Sequence, residues 1–248
     1  MKLEEFFAEY PKIAVAFSGG VDSAYLLYAA AKSGVLVKAY YVNSQFQPAF
    51  ELADAKALAQ SLGVDMEVIP VDILSCPEVA ANPSNRCYHC KKALFTAIAA
   101  AAARDGFSCL ADGTNASDDA GDRPGMRALR ELSVRSPLRE CGLTKDEIRA
   151  RSEAAGLFTW NKPAYACLAT RVPAGEVITE EKLEKTERAE TFLHSLGFRD
   201  FRVRMSGGNA VLQLRETDLP LVAAHRQSIL RELKKDYAGV VLDLEVRK

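Results

Sequence analysis

Ser18-Gly19-Gly20-Val21-Asp22-Ser23 lies between two apolar runs, Ile13–Phe17 and Ala24–Leu27. A glycine-rich turn from strand to helix binds anions for physical reasons. The first helical amides lack partners, the helix dipole adds positive potential, and glycines admit phosphate where a Cβ would block it. Other chemistries of such turns are excluded. A Walker A loop needs Gly-Lys-Ser/Thr, and Val21-Asp22-Ser23 has no lysine. The dinucleotide pattern G-x-G-x-x-G is absent, and a nucleophile elbow needs glycine where Ala16 stands.

Cysteine is the second reactive type. Cys87-Tyr-His-Cys90 and the distant Cys167 offer thiolates, which act as nucleophiles or metal ligands. Three cysteines can hold a 4Fe–4S cluster with one iron left open. A zinc half-site, a redox pair and plain packing are the alternatives for Cys87 and Cys90. Cys109 sits in an apolar run and reads as packing, and Cys76 and Cys141 belong to no motif. His194 and His225 have no partner pattern. Arg202 and Arg204 alternate with Phe201, Val203 and Met205, so one strand face carries both guanidinium groups. Their forks match phosphate oxygens, and a solvated edge is the other reading. Arg171, four residues after Cys167, is a second phosphate candidate. Glu184, Glu187 and Glu190 recur every three residues and read as a solvated stripe.

The elements that must position these groups follow from periodicity. Strands are expected at Ile13–Phe17, Leu36–Val42, Asp65–Val71 and Ser108–Ala111, and helices at Asp22–Lys32, Ala49–Ser61, Lys91–Arg104 and Thr144–Ala155. This alternation predicts an α/β fold with a parallel sheet covered on both faces. After Pro173-Ala-Gly175 the order changes to helix (Thr179–Ser195), two strands (Phe201–Met205, Ala210–Leu214), helix (Asp218–Lys235) and strand (Val240–Val246). That is a small C-terminal α+β domain, 175–248, after an α/β domain, 1–174.

Bulk properties limit the partners. Lys+Arg against Asp+Glu is 19 to 20 over residues 1–175 and 13 to 13 over 176–248, so neither part has the basic footprint of a nucleic-acid binder. No run is apolar enough to span a membrane, and the amino terminus lacks a signal-peptide pattern. A cytoplasmic protein with reduced cysteines is expected.

Ser18-Gly-Gly-Val-Asp-Ser23 resembles the signature of the PP-loop ATP pyrophosphatases, whose fold is of the adenine nucleotide alpha hydrolase type. The resemblance implies that Ser18, Gly19, Gly20, Asp22 and Ser23 hold the phosphates of ATP, with Asp22 close to Mg²⁺. It sets Val42-Asn43-Ser44 beside adenine and brings Gly113 and Asn115 to the nucleotide. Arg86-Cys-Tyr-His-Cys-Lys91, the segment Gly113–Arg127, Val134-Arg-Ser-Pro-Leu138, Leu143-Thr-Lys-Asp-Glu-Ile148 and Trp160-Asn-Lys-Pro-Ala-Tyr-Ala-Cys-Leu-Ala-Thr-Arg171 resemble the LarE-type sulfur transferases. Those enzymes make the thiocarboxylates of the nickel-pincer nucleotide cofactor of lactate racemase. The likeness covers nearly the whole chain, with Thr170 where many relatives carry serine. It implies adenylation of a carboxylate of pyridinium-3,5-biscarboxylic acid mononucleotide, release of pyrophosphate, and attack by Cys167. The sulfur then comes from Cys167 or from a 4Fe–4S cluster on Cys87, Cys90 and Cys167. Arg171, Arg202, Arg204 and Trp160 would meet this small-molecule nucleotide. A homo-oligomer is implied, with other enzymes of cofactor synthesis as partners. A tRNA thiolase, an ammonia-using NAD synthetase-like enzyme and a nucleotide-binding protein with a relict loop are the rivals.

Overall fold

The computed structural model describes residues 2–118 and 124–245. In chain order its elements are helix α1 (Leu3–Glu9), strand β1 (Lys12–Ala16), α2 (Val21–Ser33), β2 (Leu36–Asn43), α3 (Ala49–Leu62), β3 (Met66–Pro70), α4 (Pro77–Ala80), α5 (Arg86–Arg104), β4 (Cys109–Ala111), α6 (Pro124–Glu131), α7 (Pro137–Glu140), α8 (Lys145–Ala154), α9 (Glu180–Ser195), β5 (Arg202–Ser206), β6 (Asn209–Gln213), α10 (Leu219–Leu233) and β7 (Val240–Leu242). They form two units, Met1–Ile73 with Asn85–Tyr165, and Leu74–Ser84 with Ala166–Lys248. Among the described residues no helix is long and apolar enough to cross a membrane.

The first unit carries the parallel sheet that the alternation implied, in the order β3-β2-β1-β4. From β1 the chain steps outward through β2 and β3, then returns to the other side of β1 as β4. The winding direction therefore reverses between β1 and β4, and ligands of open α/β sheets bind at the carboxyl edge of such a point. Ser18–Ser23 follows β1 and Asp112–Asn115 follows β4, so the sheet order sets these two segments side by side. The pleat sends Ile13, Val15, Ala39 and Tyr41 to one face, against Leu26, Leu27 and Leu58. It sends Ala14, Tyr40, Val42 and Leu110 to the other, against Ile98, Ala101 and Phe107. Burial on both faces explains why the strands read as apolar runs without alternation.

Several features differ from the sequence reading. Helices α4, α6 and α7 were not foreseen, and nor was α1. At seven residues it is too short to stand alone, and it is held by burial of Phe6 and by the Arg135 guanidinium 5.2 Å from the Phe6 ring. Helix α5 begins at Arg86, not Lys91, because nothing in Cys87–Cys90 breaks a helix once Pro83-Ser84-Asn85 has turned the chain. Cys87 and Cys90 thus lie three residues apart in its first turns.

In the second unit, β5 and β6 are antiparallel and β7 joins β6 in parallel. Gly207 and Gly208 close the hairpin at φ 53° and 81°, both positive as a type I′ turn requires. This is the small α+β unit expected, with β7 ending at Leu242; Val246 lies outside the described residues. The unit starts at Ala166, nine residues before the boundary drawn from the sequence at 174/175, and it takes in the stretch 74–84. Hydrogen bonds explain this. Ile178 N donates to Ala80 O (2.8 Å), Gly175 N to Asn82 O (2.8 Å) and Asn82 Nδ2 to Pro173 O (2.8 Å).

Candidate active site

After β1 the chain turns through Ser18 into Gly19, which takes φ 72°. A Cβ at Gly19 would also press on Ala55 Cβ and Glu51 O at 3.3 Å each. Gly20 is the N-cap of α2 and offers no side-chain cap, so the amides of Val21, Asp22 and Ser23 lack helical partners. The serines brace the turn without using those amides. Ser23 Oγ donates to Gly20 O (3.2 Å), accepts from Ser18 N (3.3 Å) and lies 3.1 Å from Ser18 Oγ. Gly113 closes the other side, where a Cβ would stand 2.7 Å from Ser23 N and 3.1 Å from Ser23 Cα. Its neighbours fix that approach. Buried Asp112 accepts from Ser136 Oγ (2.7 Å) and Thr114 Oγ1 (2.5 Å), and buried Asn115 accepts from Ser117 N (2.8 Å). The result is a turn of backbone donors closed on its two sides by glycines.

Asp22 stands in the first turn of α2. Its Oδ2 accepts from Lys145 Nζ at 2.6 Å, while its Oδ1 is buried with no hydrogen-bond partner among the described residues. Burial pushes its carboxyl above the usual range, against the opposing pull of Lys145. A buried carboxylate oxygen with no donor, beside a phosphate cradle, fits Mg²⁺, which binds through one or two carboxylates and substrate phosphates.

Two lysines reach this loop from elsewhere in the chain, and the sequence reading assigned neither. Lys145 opens α8, where Thr144 and Glu147 form a capping box. One turn on, Arg149 donates to Trp160 O (2.7 Å) and Lys162 O (3.0 Å). That anchors the turn from which Lys162 Nζ reaches Asp54 Oδ2 (2.7 Å) and Gly19 O (3.4 Å). Both lysines lie inside segments already singled out, but 123 and 143 residues of separation hide the contact. Half-buried Trp160 contributes its backbone carbonyl to this arrangement. A cavity of about 130 Å³ adjoins the loop at the ends of β1 and β2, lined by Phe17, Ser18, Tyr40, Val42, Gln47 and Phe95. Ser44 shapes its wall indirectly, donating from Oγ to Gln47 Oε1 at 2.6 Å.

In the second unit, half-buried Cys167 is the N-cap of a 3₁₀ turn, Leu168–Arg171, and its carbonyl accepts from Thr170 N (3.0 Å) and Oγ1 (2.9 Å). Arg171, expected at a substrate phosphate, is instead 1% exposed. Its Nε and Nη2 donate to Glu190 at 2.7 and 3.0 Å, and its Nη1 to Ala166 O and Thr170 Oγ1 at 2.8 Å each. Glu190 is correspondingly buried rather than part of a solvated stripe, and it also accepts from Val203 N (2.9 Å). Arg202 and Arg204 are both half-buried on β5, alternating with the buried Val203 and Met205, and the Nε of Arg204 is buried without a hydrogen-bond partner among the described residues.

None of the six cysteines, all within the described residues, forms a disulfide. Cys87 is exposed and Cys90 buried. Burial pushes the Cys109 thiol up to about 11, as a packing residue. Among the described residues no group of three or more His, Cys, Asp or Glu side chains that could hold a metal ion is found. Residues 119–123 of the segment Gly113–Arg127 lie outside the described residues.

Four likenesses bear on this site. Residues 12–86, which include the loop, match the family described as queuosine biosynthesis protein QueC. An uncharacterised protein of Synechocystis sp. is 39% identical over 86% of this chain and 80% of its own. The pyridinium-3,5-bisthiocarboxylic acid mononucleotide synthase of Lactiplantibacillus plantarum is 32% identical over 94% of this chain and 86% of its own. A tRNA-specific 2-thiouridylase of Thermotoga petrophila is 27% identical, over 61% of this chain and 54% of its own.

Proposed function

The chain belongs to the family of the pyridinium-3,5-bisthiocarboxylic acid mononucleotide synthases, the LarE-type ATP-dependent sulfur transferases, and on that premise we propose that it converts a carboxylate of pyridinium-3,5-biscarboxylic acid mononucleotide to a thiocarboxylate. One observation carries the activating half of the reading. The uncapped first turn of α2, closed by Gly19 and Gly113, presents backbone donors beside a buried carboxylate oxygen of Asp22 that has no donor. Backbone amides of Val21–Ser23 would hold the β- and γ-phosphates, Asp22 would hold Mg²⁺, and the apolar cavity beside Ser18 would take the adenine. Mg²⁺ held there would draw charge from the phosphates and favour departure of pyrophosphate.

A carboxylate is a poor electrophile until its oxygen attacks the α-phosphate and becomes a mixed anhydride with AMP. The Cys167 thiolate then attacks the acyl carbon, AMP departs, and a thioester forms. Loss of the Cys167 α-proton and cleavage of its Cβ–Sγ bond release the thiocarboxylate and leave dehydroalanine. Arg202 and Arg204 are the phosphate-binding candidates for the substrate, whereas Arg171 and Glu190 hold the turn that carries Cys167. The tRNA reading has less support, because that likeness spans only 61% of the chain and the composition carries no excess of basic residues.

The test is Cys167→Ala. It should release pyrophosphate in the presence of the dicarboxylate mononucleotide and yield no thiocarboxylate by mass spectrometry. Thiocarboxylate from that variant would overturn the sulfur assignment, and absence of pyrophosphate release from the unmodified protein would overturn the activation step.

A further inference from the structure

The phosphate loop has no lysine of its own, yet two ammonium groups stand against it, and they are not equivalent. Lys162 pairs with Asp54, a carboxylate outside the loop, and also contacts the Gly19 carbonyl. Lys145 occupies Oδ2 of Asp22, the carboxylate whose other oxygen is buried and undonated. The guanidinium of Arg149, one turn further along α8, is engaged by the carbonyls of Trp160 and Lys162.

We propose that Lys145 is an exchangeable counter-ion. It neutralises Asp22 while the cradle is empty, yields that carboxylate to the metal when Mg²⁺-nucleotide arrives, and then pairs with the β,γ-phosphates and the pyrophosphate they become. The inference rests on the reading of the loop as the ATP site. Its logic is electrostatic. A largely buried carboxylate requires a counter-charge, and Lys145 supplies one. A divalent cation on the same carboxylate repels an ammonium 2.6 Å from Oδ2, and the arriving phosphates offer a stronger anion at the adjoining amides. The move needs no change of backbone. Lys145 is fixed as the first residue of α8, its amide donating to Ser117 Oγ at 2.9 Å, and only its flexible stem must turn. Lysine suits this task as a compact charge with three rotatable donors. The cation that the loop sequence lacks is thus delivered by another helix.

Isothermal titration calorimetry on the full chain tests this with three probes: Mn²⁺ alone, Mg²⁺-pyrophosphate, and AMP. Lys145→Gln should weaken Mg²⁺-pyrophosphate roughly tenfold to a hundredfold, the range of a lost charge-assisted hydrogen bond. It should leave AMP within about threefold and tighten Mn²⁺ alone, because Asp22 is released. Lys145→Arg, which keeps the charge, should restore most of the pyrophosphate affinity and shows that position 145 tolerates change. Unchanged pyrophosphate binding in Lys145→Gln overturns the proposal. So does a parallel loss of Mn²⁺ and pyrophosphate, which would make Lys145 a residue that merely shapes the site. If the unmodified protein binds neither pyrophosphate nor ATP, the nucleotide reading of the loop fails and takes this inference with it.

Discussion

Gly113 shows how little room the site leaves at the level of a single residue. It has no need of a left-handed backbone; what demands glycine is the Ser23 amide nitrogen, 2.7 Å from where a Cβ would sit. The three atoms it would meet, Ser23 N, Ser23 Cα and Asp22 C, are all backbone, so none can swing aside. Gly113→Ala should therefore displace the first turn of α2, at a cost of about 1–3 kcal/mol, typical of overpacking. On the proposal that this turn is the phosphate cradle, ATP affinity should fall about tenfold or more, while thermal stability falls only modestly. Nucleotide titration and a melting curve on the same sample separate the two effects. Equal affinity with a large melting shift would show that the strain is relieved away from the cradle.

At the scale of elements, buried charge ties strands, helices and turns together. Arg171 and Glu190 join the 3₁₀ turn after Cys167 to α9, and Glu190 extends the link to the amide of Val203 on β5. Both side chains are nearly inaccessible, 0% and 7% exposed. Removing one partner strands the other charge in the interior, so Arg171→Met should lower stability by roughly 3–5 kcal/mol. The double variant Arg171→Met/Glu190→Met should recover much of it, and urea unfolding of the three proteins measures the difference. A second network binds the end of α5 to β2 and β3. Lys38 donates to Asp105 at 2.5 Å, Tyr40 donates to Asp105 at 2.8 Å, and Arg104 donates to Glu67 at 2.7 Å. The Lys38 ammonium holds the Asp105 carboxyl far below the usual carboxylate range, and the Arg104 guanidinium lowers that of Glu67. Carboxyls depressed in the folded state stabilise it fully above their unfolded values, about 4, and lose that contribution as pH falls through the folded ones. Melting temperature should accordingly drop in acid, and Asp105→Asn should melt lower at neutral pH with a shallower decline below about pH 4. An unaltered acid profile in Asp105→Asn would remove this network as its source.

At the scale of the whole molecule the open chemistry is the origin of the sulfur. Cys87 and Cys90 share the first turns of α5 in one unit, and Cys167 lies in the other. On the proposed route the donor is Cys167 itself. Protein isolated without oxygen should be colourless and free of iron, and one turnover should reduce its mass by one hydrogen sulfide. A brown protein containing iron and acid-labile sulfide, with its mass unchanged after turnover, would reverse that assignment.

Much of this was legible in the chain itself. Apolar runs separated by helix-length segments determined the parallel α/β sheet, since a strand buried on both faces has no other pattern available. The loop Ser18–Ser23 determined its own chemistry, because glycines, serines and an acid at a helix start suit phosphate and exclude the lysine-bearing alternative. Helix α1 and the inclusion of 74–84 in the second unit were not legible, because each is held by contacts with distant residues rather than by local preference. Arg171 shows the same limit from the other side. An arginine near a reactive cysteine reads as a phosphate ligand until Glu190, nineteen residues on, is seen to claim it. The sequence by itself thus determined a glycine-rich turn at a helix start whose groups suit an anion. Only the tertiary structure decided which cations meet it, because Lys145 and Lys162 reach the loop through the packing of α8 and the Trp160 turn, and charge acts through space rather than along the chain.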